Sequence, residues 1–256
     1  MPCRDWVARQ DGGGMSKSVL PLRAANLGYE VDGTGLIDDL SMTVDPGAFT
    51  VVLGPNGAGK SLLLRLLHGL IAPTSGTIDW TRQADMRGRT LRQRQAMVFQ
   101  RPVLLRRSVE ANVRYALKWQ GAQPGDLQAA SESALQRAGL ADRRRVPARL
   151  LSVGEQQRLV VARALAGKPD ILFLDEPTAS LDPASVQQIE ALLTEANAAG
   201  TAMVLVTHDI GQARRLAHEV VFLHRGWLVE NGPAEAFFTD PKSDAARAYL
   251  KGEIVV

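Results

Sequence analysis

The sequence predicts an α/β fold: a mostly parallel sheet flanked by helices, with strands and turns near its N-terminal end and a helical insert near its middle. Three observations carry that expectation. Gly54-Pro55-Asn56-Gly57-Ala58-Gly59-Lys60-Ser61 fits the pattern G-x-x-x-x-G-K-[ST] without a mismatch, between the apolar, β-branched run Phe49–Leu53 and the apolar helical run Ser61–His68. The second half alternates short buried-strand runs with helical stripes, the order that builds parallel sheets. From Arg101 to about Leu150 that alternation stops, and two amphipathic helical stretches take its place.

Taken in order, residues 1–17 read as a tail, in which Asp11-Gly12-Gly13-Gly14 has linker composition and Met15 is an alternative start. Leu22–Tyr29 reads as a strand leading into the Gly-rich turn Asp32–Gly35, and Leu36–Val44 ends in apolar/polar alternation. Asp45-Pro46-Gly47 is a turn before the strand that carries the glycine loop. Past the first helix, Ala72–Gly76 breaks the chain before a short strand, Thr77–Trp80. A polar, Arg-rich segment follows, and Met97–Phe99 reads as a strand ending at Gln100.

Ser108 is placed to cap a helix with Val109, Val113, Ala116 and Leu117 on one face, stopping at Gly121. Asp126 is placed to cap a second, with Leu127, Ala130, Ala134, Leu135 and Ala138 inward and an end at Gly139. Leu159–Ala166 is helical and Ile171–Leu174 is a buried strand. Val186, Ile189, Leu192, Leu193 and Ala196 form a helix stripe ending at Gly200, and Ala202–Val206 is the next buried strand. Val220–Leu223 and Trp227–Val229 form a hairpin turning at Arg225-Gly226, and Ala234–Lys251 reads as helix and turn. The division expected is a tail over 1–17 and one domain over 18–254, its core about 18–100 and 159–254 and its helical part about 101–158.

The bulk numbers narrow the class. At 256 residues, 45% hydrophobic and 22% charged, the chain can bury a sizeable core. A net charge of +3 is mild, and the cluster Arg143-Arg144-Arg145 reads as a solvated helix end or loop, so no nucleic-acid partner is expected. Cys3 is the only cysteine, which excludes a disulfide framework or a cysteine metal site. No apolar run is long enough to cross a bilayer, and the N-terminus has no apolar signal core.

The chemistry starts at the glycine loop. Glycines let successive backbone N–H groups curl around an anion, and the helix start adds partial positive charge. Gly54, Pro55, Asn56, Gly57, Ala58, Gly59, Lys60, Ser61 and the following Leu62 are therefore the expected nucleotide-binding residues. Lys60 is suited to the β- and γ-phosphates, and the Ser61 hydroxyl to Mg²⁺. The strand Ile171–Leu174 runs into Asp175-Glu176, where an acid can hold Mg²⁺ (Asp175) and a second can take a proton from the attacking water (Glu176). A lone histidine is usually structural, but His208 follows the strand Ala202–Val206 at its carboxyl end, where open α/β sheets bind ligands, and it is placed to hold a γ-phosphate. His68, His218 and His224 read as structural. Ser152 and Glu155 have the spacing of a capping box, and with Gly154 they make a second helix start suited to an anion. Two phosphate-gripping surfaces in one chain point to a neighbouring subunit.

With those residues in place, the chain resembles the ATP-binding subunit of an ATP-binding cassette (ABC) transporter from about Leu22 onward. The resemblance implies an α/β P-loop NTPase core of the RecA-like type with an antiparallel β subdomain and a helical insert subdomain, and ATP hydrolysis with Mg²⁺. Gln100 sits where the family has a glutamine that contacts metal and water. Ser180-Leu181-Asp182 is similar to the loop that crosses the dimer, which places Asp182 at the nucleotide, and Tyr29 is similar to the adenine-stacking aromatic. Two copies are then expected to sandwich two ATP molecules, each between one phosphate loop and the opposite Leu151–Glu155 segment. Two departures stand out. Val153 replaces the first glycine of Leu-Ser-Gly-Gly, and Leu62 replaces a threonine, removing one hydroxyl contact worth about 1 kcal/mol.

The same resemblance implies a separate transmembrane permease, docked on Arg101–Ser108, a place on the cytoplasmic face of the membrane, and an extracytoplasmic binding protein. Phe99-Gln100-Arg101-Pro102-Val103-Leu104-Leu105 is similar to bacterial importers of oxyanions, particularly tungstate, ahead of phosphate, molybdate or amino acids. A non-transport ABC ATPase usually has two cassettes or a long coiled-coil insertion, and neither is present. A P-loop kinase or GTPase leaves Leu151–Arg158 without a purpose.

Overall fold

The computed structural model describes residues 18–81 and 88–253, with side chains omitted at 88 and 89. The expected tail over 1–17, with Cys3, lies outside the described residues, as do part of the Arg-rich segment and 254–256. Within them the predicted α/β class holds. Three strands form an antiparallel sheet in the order β2-β1-β4: β1 (Leu22–Val31), β2 (Thr34–Val44) and β4 (Ser75–Trp80). Six form a second sheet in the order β5-β6-β7-β3-β8-β9. Its strands are β3 (Phe49–Leu53), β5 (Gln95–Val98), β6 (Ile171–Asp175), β7 (Ala202–Val206), β8 (Glu219–His224) and β9 (Trp227–Pro233). All its neighbours pair in parallel except β8 with β9.

The period-2 geometry of a strand explains how one sheet serves two cores. Phe49, Val51 and Leu53 of β3, Leu172 and Leu174 of β6, and Met203 and Leu205 of β7 face a cluster built with the helices of the middle and C-terminal regions. Those helices include α3 (Val109–Trp119), α4 (Leu127–Arg137), α5 (Val153–Leu165) and α6 (Pro183–Ala198). The intervening Val52, Ile171, Phe173, Val204 and Val206 face the other way, onto α1 (Lys60–His68) and the antiparallel sheet. Every residue of β3, β6 and β7 is buried, as continuous apolar runs require. At the amino ends of the strands, Asp170 accepts from Val19 N at 3.0 Å and from Arg94 Nε at 2.9 Å, tying the start of the antiparallel portion to the large sheet.

Several boundaries differ from the sequence expectation, each for a local reason. The β1–β2 turn is Asp32-Gly33 alone, because Thr34 and Gly35 already pair with Val31 and Glu30. The strand expected to reach Phe99 ends at Val98. α5 begins at Val153, at the helix start expected from the Ser152–Glu155 capping box, and joins it to the helical run expected from Leu159. It runs unbroken across residues 158 and 159. α6 begins earlier than expected, at Pro183, capped by Asp182, which accepts from Ser185 N at 3.0 Å. Ser108 caps α3 as expected, but Asp126 does not cap α4 through its side chain. Its backbone is helical at φ −90° and ψ −15°, whereas side-chain capping goes with an extended backbone that turns the carboxylate toward the free amides. The short helices α2 (Gly88–Gln93) and α7 (Ile210–Leu216) had no counterpart in the periodicity, which needs a longer run to register. α8 (Ala234–Thr239) and α9 (Asp244–Leu250) complete the chain.

The loop Arg101–Ser108 is held from beneath by Asn112, fully buried in α3. Asn112 Oδ1 accepts from Leu105 N at 2.8 Å, while Nδ2 donates to Leu105 O at 3.2 Å and Ser108 O at 3.0 Å. Replacing Asn112 by Leu leaves the Leu105 N–H without its acceptor, while Leu105 O keeps its bond from Arg107 N at 2.7 Å, so urea unfolding should show a stability loss of about 1 kcal/mol. An unchanged midpoint would mean that the loop finds other partners.

Candidate functional site

Strand order alone gathers the site. Four neighbours, β5, β6, β7 and β3, run parallel, so the segments after their carboxyl ends emerge on one edge about 4.8 Å apart per strand. Those segments carry Gln100, Asp175-Glu176, His208 and the glycine loop. This is the edge at which open α/β sheets bind ligands.

The glycine loop leaves β3 at Gly54 and enters α1 through Gly59, the N-cap residue, whose φ of 98° is a left-handed value that side chains disfavour. No side chain caps α1, so its first N–H groups remain available to an anion. Lys60 is buried, and its ammonium donates to Gly54 O at 2.6 Å and Pro55 O at 2.8 Å. Burial pulls its pKa down, against the opposing pull of Glu176 and Asp175. Ser61 Oγ donates to Asp175 Oδ1 at 2.7 Å, joining residues 114 positions apart. Burial raises the Asp175 pKa, with Ser61 and Arg65 acting the other way. Leu62 packs partly against the apolar cluster beneath α1.

Glu176 has a left-handed φ of 45°, and its N–H donates to Val206 O at 3.0 Å. Its Oε2 accepts from Gln100 Nε2 at 3.2 Å and lies 3.3 Å from His208 Nδ1. The three side chains therefore meet at one carboxylate oxygen, Gln100 from the β5 side and His208 from the β7 side. Tyr29 on β1 is half-buried and pairs in register with Ile37 of β2, whose side chain borders Gly59.

Ser152, Gly154, Glu155 and Asp182 form a second group at the starts of α5 and α6. The Ser152 hydroxyl accepts from Glu155 N at 3.2 Å, and Glu155 Oε2 accepts from Ser152 N at 2.8 Å. That backbone bond is the largest of the influences holding the Glu155 pKa below its usual value. Gly154 lies against Ser185 so closely that a Cβ would strike the Ser185 hydroxyl, which itself donates to Asp182 Oδ2 at 2.7 Å. Val153 points its bulk outward, 62% exposed. His68 and His218 take structural places: His68 lies edge-on to Phe173 with its pKa pushed down to about 4 by burial, and His218 Nδ1 accepts from Phe49 N.

Sequence reasoning missed what braces the glycine loop from outside its own segment. Gly226, in the β8–β9 turn, donates its N–H to Ala58 O at 3.2 Å and accepts from Asp38 N at 3.0 Å. The hairpin itself was legible, but its neighbour across the sheet was not. Tyr249 of α9 was missed as well: its ring packs on Phe222, and its hydroxyl faces the Gly54 amide. A tyrosine in a helix carries no sequence signal for such a contact.

Among the described residues no group of three or more His, Cys, Asp or Glu could hold a metal by itself, and no helix is long and apolar enough to cross a membrane. Residues 37–179 match the protein-family model described as ABC transporter. The chain is 38% identical to a phosphate import ATP-binding protein, PstB 2, of Natronomonas pharaonis, covering 95% of this chain and 90% of that protein. It is 36% identical to the tungstate uptake system ATP-binding protein TupC of Peptoclostridium acidaminophilum, covering 86% and 100%. Among solved structures it resembles cbiO1 of Clostridium perfringens, described as part of the ABC transporter complex cbiONQ, with TM-score 0.77, 30% identity, and coverage of 90% and 94%.

The cap of α5 gives a direct test. Ser152→Ala should cost about 1 kcal/mol and lower Tm by about 2–4 °C in a thermal melt. A Tm unchanged within error would show that the Glu155 N–H finds another acceptor.

Proposed function

The chain belongs to the ABC transporter family as an ATP-binding, ATP-hydrolysing subunit, and from that premise we propose that it drives import of an oxyanion through a membrane permease. The reading rests most on one observation: Gln100, Glu176 and His208 converge at a single carboxylate oxygen on the sheet edge that holds the glycine loop. In that arrangement the loop amides and Lys60 grip the β- and γ-phosphates of ATP. The Glu176 carboxylate takes a proton from water as the water oxygen bonds to the γ-phosphorus, and ADP leaves as the bond to its β-phosphate oxygen breaks. His208 orients the γ-phosphate, and Gln100 holds Glu176 in line. Tyr29 stacks on the adenine.

Ser61 Oγ and Asp175 Oδ1 set two hard oxygen donors side by side, a fit for Mg²⁺ with few protein ligands, and Gln100 can add a third. When bound, the ion neutralises charge shared by the β- and γ-phosphate oxygens.

The second group, Ser152, Gly154, Glu155 and Asp182, serves the nucleotide of a second copy of this chain. The permease is proposed to dock on Arg101–Ser108, a reading supported by Val103, 62% exposed, and the subunit is proposed to work at the cytoplasmic face of the membrane. The helical part is proposed to span about 101–158 and to turn with that contact. An extracytoplasmic binding protein delivers the cargo. The names of the relatives support an oxyanion, with tungstate and phosphate the first two to try.

Glu176→Gln should lower ATP turnover by about 10²–10⁴-fold while ATP still binds, measured by phosphate release and nucleotide titration. Normal turnover would remove Glu176 from the role of base. Lys60→Ala should weaken ATP affinity in the same titration. Uptake of labelled tungstate, molybdate and phosphate, with and without this chain, decides the cargo; equal uptake of all three in its absence would overturn oxyanion import.

A further inference from the structure

Behind the contact of Glu176 with His208 lies a second connection between the same two segments, made by residues outside the expected site. Gln212, in the first turn of α7, is fully buried. Its N–H donates to Asp209 Oδ1 at 2.9 Å, which fixes the helix start immediately after His208. Its carboxamide reaches across to the other segment. Nε2 lies 3.1 Å and Oε1 3.2 Å from Thr178 Oγ1, two residues beyond Glu176. Nε2 also donates to Glu190 Oε1 at 3.2 Å.

Glu190 of α6 is itself nearly buried and is gripped at both oxygens by Arg215 of α7, at 3.0 Å and 2.7 Å. A fork of this kind holds the carboxylate in one orientation. The carboxamide is thus held between a fixed carboxylate and a hydroxyl, with little freedom of its own. The turn it holds is short: Ala179 N donates to Glu176 O at 3.2 Å, Leu181 N donates to Thr178 O at 3.3 Å, and Asp182 then caps α6.

We infer that Gln212 is a positioning residue, which through Thr178 sets the Glu176 carboxylate against His208 and ties both to the loop ending at Asp182. The inference rests on the proposed roles of Glu176 and His208. A shift of Thr178 by a fraction of an ångström is passed to Glu176 through two peptide units, and the left-handed backbone at Glu176 leaves it few ways to absorb the change. Because Asp182 lies at the far end of the same turn, movement of the start of α6 reaches His208 by the same route.

The test uses the purified full chain. Gln212→Met keeps the length and volume of the side chain and removes its hydrogen bonds. It should lower kcat for ATP hydrolysis about tenfold while KM for ATP stays within about twofold, since the nucleotide is gripped elsewhere. Thr178→Val removes the same bond from the other side and should give the same split. The double variant should be no slower than either single one, the non-additivity expected of one shared contact. Melting temperature and ATP-binding stoichiometry are read in parallel. Full kcat in both single variants, additive losses in the double variant, or losses of turnover that merely follow lost binding would each overturn the inference. Failure of the underlying reading is separable: it appears as normal turnover in Glu176→Gln, whereas a dead Glu176→Gln beside a fully active Gln212→Met removes only the role of Gln212.

Discussion

The placement of β3 between β7 and β8 is the constraint on which the rest depends. Val52 sits in register with Val206 on one side and Val221 on the other, and each of these residues is an apolar member of the same core face. A one-residue slip would send each of these side chains into the opposite core, and because both cores are apolar it is the close packing of particular side chains in each that holds the register. Once it is set, the glycine loop leaves one strand away from His208 and two from Asp175. The 2.7 Å bond between Ser61 and Asp175 is then a consequence of topology, although the two lie 114 positions apart in the chain.

Much of this was legible because the strongest signals are local. The glycine loop announces itself by spacing, Ser152 and Glu155 by the reciprocal hydrogen bonds that their spacing permits, and β6 and β7 by unbroken apolar runs. What was illegible depends on partners brought together by folding. Asp126 has the right residue type for a cap and the wrong backbone, which no residue-type preference reveals. Gly226 looks like any hairpin glycine until Ala58 and Asp38 come to lie beside it. Gln212 is a polar residue in a helix of seven residues, and nothing in its surroundings in the chain says that Glu190 and Thr178 enclose it.

The second group shows how a residue can have two reasons for being what it is. Gly154 is required within its own chain, where Ser185 leaves no room for a side chain, and Asp182 is occupied in capping α6. These local demands give the starts of α5 and α6 a fixed relative position. Any surface they present to a second copy is therefore presented as a rigid unit. Val153, directed outward between Ser152 and Gly154, lies on the exposed side of that unit and not in the core.

The bond from Gly226 N to Ala58 O bears on how the glycine loop can be watched at work. An amide closed against another segment exchanges its proton for deuterium only when the two separate. The isotope uptake of that one amide therefore records the fraction of time for which the hairpin has let go of the loop. It gauges loop opening from a residue outside the glycine loop itself.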